Sequence, residues 1–218
     1  MKRILIADDH AIIRDGLKMI LADADDLVVA GEASDGHEVL AKVREQEWDI
    51  LLLDISMPGK NGLDLIKQIK IERPRMPILI FTMHQEGQYA LRALRAGASG
   101  YVTKENDSEH LVTVIRKVVN GGIYLSPSMA EQLARELIPG AIDGEPHNRL
   151  SDREYQIFQM LIAGKGITEI ANDLSVSVKT VSTHKTRIMS KMHLASLSEL
   201  IRYAIDHDLL DYLPNHRE

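Results

Sequence analysis

Asp8, Asp9, Asp54, Thr82 and Lys104 are five side chains that could share one piece of chemistry. Asp8 and Asp9 close the short apolar run RILIA, and Asp54 closes Ile50-Leu51-Leu52-Leu53. Thr82 follows Ile78-Leu79-Ile80-Phe81, and Lys104 follows Gly100-Tyr101-Val102-Thr103. Each stands at the carboxyl end of an apolar segment, which is where open α/β sheets bind their ligands. Neighbouring strands would bring the three carboxylates to a hydroxyl and an ammonium. Carboxylates crowded in this way repel one another and rise in pKa unless a cation shares the site. An oxygen-lined site without His or Cys suits Mg²⁺, which keeps several waters and takes one or two carboxylates plus phosphate oxygens. An acid, a hydroxyl and a lysine around a metal form a phosphoryl site. Alone, Asp54 reads as a strand-terminating polar residue; its company changes that reading.

The elements that must position these residues follow from the hydrophobic pattern. Ile50 to Leu53 is too short for a typical helix and does not alternate, so it reads as a strand buried on both faces of a parallel sheet. The Pro58-Gly59 and Asn61-Gly62 pairs then turn the chain. Further strands are predicted at Lys2 to Ala7, Leu27 to Ala30, Ile78 to Phe81 and Gly100 to Thr103. Between them lie helical stripes: Ile12, Ile13, Leu17, Ile20 and Leu21; Val39, Leu40 and Val43, capped by Ser34 or Asp35; and Leu63, Leu65, Ile66 and Ile69. Tyr89 to Ala96 is another helix, closed by Gly97, and Asp107 or Ser108 starts one through Leu111, Val114, Ile115, Val118 and Val119. This alternation implies a doubly wound five-stranded parallel sheet with right-handed crossovers.

The chain has 218 residues, enough for two ordinary domains, with the apolar (44%) and charged (27%) fractions of a soluble globular protein. The absence of cysteine excludes disulfides, thiolate catalysis, iron–sulfur clusters and Cys-type zinc sites. The start, MKRILIADDH, turns acidic too early for a signal peptide or membrane span, so a cytoplasmic protein is expected. The net charge of −6 argues against coating nucleic acid by bulk electrostatics. The positive charge is local: Lys179, Lys185, Arg187 and Lys191 lie between Asp173 and Glu199 with no acid among them.

Asp8-Asp9, the strand ending in Asp54, the following MPGKNG, Thr82 and GYVTKE resemble the receiver domain of two-component response regulators, in order and at compatible spacing over about the first 125 residues. The resemblance implies that Asp54 accepts a phosphoryl group from a sensor histidine kinase. It implies that Asp8, Asp9, Asp54 and the Ser56 backbone carbonyl hold Mg²⁺, and that Lys104 contacts the phosphoryl oxygens. Thr82 and Tyr101 occupy the family's switch positions, and strand order 2-1-3-4-5 is adopted by analogy. The phosphate would recruit the Thr82 hydroxyl, shift its loop and leave room for Tyr101 to turn inward. Read from composition alone, Tyr101 is an edge-strand aromatic and Thr82 a β-branched strand residue.

From Glu131 the pattern frays around Pro139-Gly140, Gly144 and Pro146, with Met129 to Ile138 as a short linker helix. The expected division is a receiver over 1–125, a linker over 126–148 and a small all-α domain over 149–218. Ser151 to Glu154 is a capping box that opens a helix through Ile157, Phe158, Leu161 and Ile162. Ile167 to Leu174, a turn at Ser175-Val176, and a helix capped by Ser177 and running to about Met192 make a helix-turn-helix. On a wheel, Val178, Val181, Ile188, Met189 and Met192 share one face, while Lys179, Thr183, Thr186, Arg187 and Ser190 share the other. Such a helix suits a major groove: Lys and Arg neutralise phosphates, and Ser and Thr can bond base edges or phosphates. Lys185 falls within the apolar arc, so its stem should snorkel outward.

The segment from Leu150 to Met192 resembles the LuxR-type helix-turn-helix of NarL/FixJ-class regulators. The resemblance implies that Lys179, Thr180, Ser182, Thr183 and Thr186 meet double-stranded DNA, with Arg187 and Lys191 near phosphates. Gly166 departs from the Ser or Thr that commonly caps the scaffold helix. The last helix, with Leu197, Leu200, Ile201 and Ile205, should mostly seal the core; in relatives it also pairs two domains, which implies a homodimer on DNA. The resulting reading is a phosphorylation-dependent transcription factor, not an enzyme. An aspartyl-nucleophile phosphatase is disfavoured because Ser56 stands where its second Asp belongs. A flavodoxin-like carrier is disfavoured because Asp8-Asp9 would repel a flavin phosphate. A protein-binding output domain is the remaining alternative.

Overall fold

The computed structural model describes residues 1–57, 61–84, 87–105, 107–136, 145–207 and 209–210. Pro58-Gly59, Ile138, Pro139-Gly140 and Gly144 lie outside them. The chain divides into two compact units, Met1–Glu131 and Gln132–Glu218.

In the first unit, strands β1 (Lys2–Ala7), β2 (Leu27–Ala33), β3 (Ile50–Leu53), β4 (Ile78–Thr82) and β5 (Gly100–Thr103) form one sheet in the order β2-β1-β3-β4-β5. All pairings are parallel. Helices α1 (Ala11–Ala22), α2 (Gly36–Glu45), α3 (Gly62–Glu72), α4 (Gly87–Ala96) and α5 (Ser108–Val119) alternate with the strands. Every residue of β3 is buried, because helices cover both faces of the central strand. Ile4, Ile6, Ile50, Leu52, Leu79, Phe81 and Val102 pack with Leu17 and Leu21 of α1 and with Leu111, Val114, Ile115 and Val118 of α5. The alternate strand residues, including Leu5, Leu51, Leu53 and Ile80, turn to the other face by the period of the pleat and are equally buried.

Short polar side chains set the helix starts. Asp35, not Ser34, caps α2 by accepting from the His37 and Glu38 amides, while the Ser34 hydroxyl donates to Glu38. Asn61 caps α3, and Asp107, not Ser108, caps α5. One predicted core residue of α1 is misplaced: Ile12 is 80% exposed, because the packed stripe runs through Ile13, Leu17 and Leu21, and Ile12 lies about 100° round the helix from Ile13.

Helix α6 (Pro127–Glu136) begins two residues before the expected linker helix, and a 3₁₀ turn spans Pro146–Arg149. The second unit then has α7 (Asp152–Ile162), α8 (Ile167–Asp173), α9 (Val178–Met192) and α10 (Leu197–Asp206). The Ser151 capping box forms as the sequence predicts. At Gly166 only half a box exists, the Glu169 carboxylate accepting from the Gly166 amide at 3.4 Å. The turn between α8 and α9 is reached with Ser175 at φ 52°, and Ser177 caps α9. Tyr155, Phe158, Ile170, Val181, Ile188, Met192, Leu200 and Ala204 form the core of this unit. Among the described residues, no helix is long and apolar enough to cross a membrane.

Gly62 opens α3 beneath the loop that leaves β3. A Cβ there would stand 2.6 Å from Ile55 Cα and 2.7 Å from Ile55 O, both backbone atoms that cannot step aside by a rotamer change. Gly62→Ala should therefore destabilise the first unit by about 1–3 kcal/mol, the usual cost of overpacking. Urea denaturation of the two proteins checks this.

Candidate functional site

Because β1, β3, β4 and β5 are consecutive in the sheet, their carboxyl ends form one row. The backbone ladder continues one residue past several strands. The Asp54 amide donates to Ala7 O at 2.8 Å, Asp8 N to Ala33 O at 3.1 Å and Lys104 N to Thr82 O at 2.8 Å. The polar residues at these ends are thus held as rigidly as the strands themselves.

Asp54 Oδ1 accepts from the Thr82 hydroxyl and the Ser56 amide, both at 2.9 Å. The Lys104 ammonium lies 2.6 Å from Asp54 Oδ2 and 2.6 Å from Asp8 Oδ2. Asp8 and Asp54 are only 1% and 3% exposed. Burial pushes the Lys104 pKa down, but the Asp54 and Asp8 carboxylates outweigh it and hold the ammonium above its ordinary value. Asp9 lies at the solvent side of the group. Asp8, Asp9, His10 and Asp54 each bring one ligating atom within 4.8 Å of the others.

The donor set fits a hard divalent cation. Asp8 and Asp54 share the Lys104 ammonium and the Asp9 carboxylate stands beside them, so acids outnumber that base, and the available oxygens are the ligands that Mg²⁺ prefers. The sequence reading of a site without histidine needs correction. His10 Nδ1 is 3.0 Å from Asp9 Oδ1 and 3.3 Å from Asp8 Oδ1, so an imidazole stands at the rim. Its adjacency to the acidic pair was the available signal.

Thr82 and Tyr101 are fully buried. The Tyr101 hydroxyl donates to His84 O at 3.0 Å, and the His84 ring lies 4.8 Å from that of Tyr89. Burial keeps the His84 pKa below its ordinary value. Tyr101 is therefore turned inward and Thr82 bonded to Asp54 in the same structure, where the sequence reading reserved both features for the phosphorylated chain. His84, two residues beyond Thr82, is the group through which these positions meet; residue type alone carried no signal for it.

In the second unit, α9 turns Val181, Ile188 and Met192 into the core and exposes Lys179, Thr180, Ser182, Thr183, Thr186, Arg187 and Lys191. Val178 is 46% exposed at the first turn, not in the apolar contact that the wheel assigned it, because the helix end overhangs the core. Lys185 is half-buried, as its position in the apolar arc requires. Lys179 and Arg187 make no ion pair among the described residues. Lys191 does: its ammonium is 2.5 Å from Glu154 Oε2 and 3.4 Å from Arg149 O. On α10, Leu200 is fully buried and cannot meet a second subunit, whereas Leu197 (37%) and Ile205 (56%) remain exposed and Ile201 is half-buried.

A doubly wound sheet with an acid cluster, a hydroxyl and a lysine at its carboxyl edge, joined to a helix-turn-helix, defines the class: a receiver with a DNA-binding output. Residues 4–116 match the family model of the response regulator receiver domain, and residues 148–204 match that of the bacterial regulatory proteins, luxR family. The chain is 41% identical over 216 residues to the oxygen regulatory protein NreC of Staphylococcus carnosus, covering 96% of this chain and 100% of that one. It is 37% identical over 211 residues to the response regulator GacA of Pseudomonas viridiflava, covering 97% and 99%. A solved structure of RcsB from Salmonella enterica serovar Typhimurium, bound to promoter rprA with the phosphomimetic BeF₃⁻, superposes with a TM-score of 0.66 at 26% identity, covering 93% of this chain and 97% of that chain. The chain belongs to the two-component response regulators, in the NarL/FixJ class with a LuxR-type DNA-binding domain.

The Lys191–Glu154 pair has a consequence for stability. Burial pushes the Glu154 carboxyl up, but the hydrogen bonds from Lys191 and Ser151 outweigh it and hold it below its ordinary 4.5. A depressed carboxyl contributes stability above its unfolded pKa and loses it as pH falls through the folded value. Lys191→Met should therefore cost the second unit about 1 kcal/mol at pH 7, discounted for the exposed lysine, and should reduce its acid lability below about pH 4.5. Amide exchange of α7 and α9 in the full chain, measured between pH 3 and 7, reads this difference.

Proposed function

We propose that the chain is a phosphorylation-controlled transcription factor. A sensor histidine kinase transfers a phosphoryl group to Asp54, and the modified protein binds promoter DNA as a homodimer in the cytoplasm. The observation that carries the reading is the Asp54 carboxylate itself, held at a strand end with Thr82 on one oxygen and Lys104 on the other. In the transfer, a carboxylate oxygen forms the new bond to phosphorus as the bond to the donor histidine nitrogen breaks, and the imidazole leaves with the bonding electron pair. Lys104 and the Thr82 hydroxyl supply donors to the phosphoryl oxygens, which carry the charge of the loose transition state. Mg²⁺, held by Asp8, Asp9, Asp54 and the Ser56 carbonyl, would supply neutralising charge for those oxygens.

A new phosphoryl group competes for the donors that now serve the carboxylate. Thr82 moving with it would shift the loop that carries His84, and with it the acceptor of the Tyr101 hydroxyl. The switch is thus a rearrangement of two buried hydrogen bonds, biased by added charge. Two paired output domains would present two recognition helices to half-sites about one helical turn apart. The exposed apolar residues Leu197 and Ile205, with the half-buried Ile201, support pairing through α10.

The expected outcome is that acetyl phosphate with Mg²⁺ tightens binding to an inverted-repeat duplex by a coupling of about 1–3 kcal/mol. Asp54→Ala should keep basal affinity and lose that gain; a gain that persisted would overturn the assignment. Asp9→Ala should abolish labelling with the fold intact.

For DNA binding, Lys179→Ala and Arg187→Ala should each weaken affinity and flatten the salt dependence by about one unit for each phosphate no longer neutralised. Lys191→Met should change the slope less, because Glu154 neutralises that ammonium. Equal slopes across all three variants and the parent would place the DNA on another face, and no retention of any duplex at low salt would favour a protein-binding output.

A further inference from the structure

Two of the three threonines on the exposed face of α9, Thr183 and Thr186, do not offer their hydroxyl protons to a partner. Thr183 Oγ1 donates to Lys179 O at 2.9 Å, and Thr186 Oγ1 donates to Ser182 O at 3.1 Å. Thr180 Oγ1 lies 2.8 Å from Ser177 Oγ, the cap that also accepts the Thr180 amide at 3.0 Å. A threonine hydroxyl has one proton, and Thr183 and Thr186 spend theirs on the preceding turn of their own helix. With Oγ1 engaged on that turn, the γ-methyl group is the other substituent that these exposed side chains carry. The spacing of three residues strings Thr180, Thr183 and Thr186 into one strip, with Thr183 opposite the buried Val181, Ile188 and Met192. Val178, 46% exposed at the start of the helix, adds to the apolar character of that end.

We infer that α9 reads thymine through methyl groups: the strip Thr180, Thr183 and Thr186 packs γ-methyls against thymine C5-methyls in the major groove, rather than hydrogen-bonding base edges. Among the base edges of the major groove, only thymine carries a methyl, and a threonine methyl is a suitable partner for it. The flanking Lys179 and Arg187, without ion pairs among the described residues, serve the phosphates on either side. The inference rests on the DNA-binding reading above and adds to it the chemical group that is recognised.

The test selects duplexes from a random pool with the full chain and remakes the best of them with deoxyuridine in place of each thymidine in turn. Deoxyuridine keeps every hydrogen-bonding group and deletes only the methyl. Removal of one recognised methyl should weaken binding about fourfold, the worth of one buried carbon group. Thr183→Val, which keeps methyls and removes the hydroxyl, should still distinguish thymidine from deoxyuridine. Thr183→Ser, which keeps the hydroxyl and removes the methyl, should lose about fourfold and should no longer distinguish thymidine from deoxyuridine at one position. Binding that ignores the methyl at every position, or a valine variant that loses affinity while the serine variant keeps it, overturns the inference and leaves DNA binding intact. Failure to retain any duplex overturns both.

Discussion

The ammonium of Lys104, 2.6 Å from carboxylates at the ends of two other strands, is the contact on which the buried charge of the first unit depends. A lone buried lysine or a lone buried carboxylate pair would be expelled or neutralised. Together they are tolerated, because each charge replaces part of the solvation that burial removed from the other. The compensation is incomplete: two carboxylates share one ammonium, and Asp9 adds a third acid beside them. That residual negative charge makes the site a place for a cation, and it is set by which residue ends each strand.

The second unit uses electrostatics differently. Its buried acid, Glu154, serves the fold: it closes the capping box at the start of α7 and takes Lys191 of α9 as its counter-ion. One of the four clustered cations of the sequence is thereby assigned to holding α7 and α9 together. Lys179 and Arg187 have no such acid among the described residues. A charge count along the chain treats these cations alike, but the packing of α9 on α7 gives Lys191 an acid as partner.

Hydroxyl groups divide in the same way. In the first unit the Thr82 hydroxyl points at the Asp54 carboxylate, because β4 ends beside β3 and no helical carbonyl competes for it. On α9, Thr183 and Thr186 each have a carbonyl acceptor one turn back in their own helix, and the hydroxyl turns to that partner. The same residue type therefore donates across the sheet to a carboxylate in one unit and back to its own helix in the other.

The order and type of the elements were legible from the chain alone. The uninterrupted β3 run, the Asp and Ser caps, and the positions of Asp8, Asp9, Asp54, Thr82 and Lys104 at strand ends all follow from local pattern, which the physics of strands and helix termini ties to residue type. The strand order came from resemblance, and the structure has that order. What only the tertiary structure decided is which groups meet. Ile12 and Val178 sit outside their predicted stripes, because a stripe becomes a core only where a neighbouring element covers it. Leu200 is sealed off from any second subunit by its own core, Lys191 is claimed by an acid 37 residues earlier in the chain, and Tyr101 finds its acceptor at His84. Periodicity reports the direction in which a side chain leaves its own backbone; its partner is determined by packing between segments distant in sequence, which no local pattern encodes.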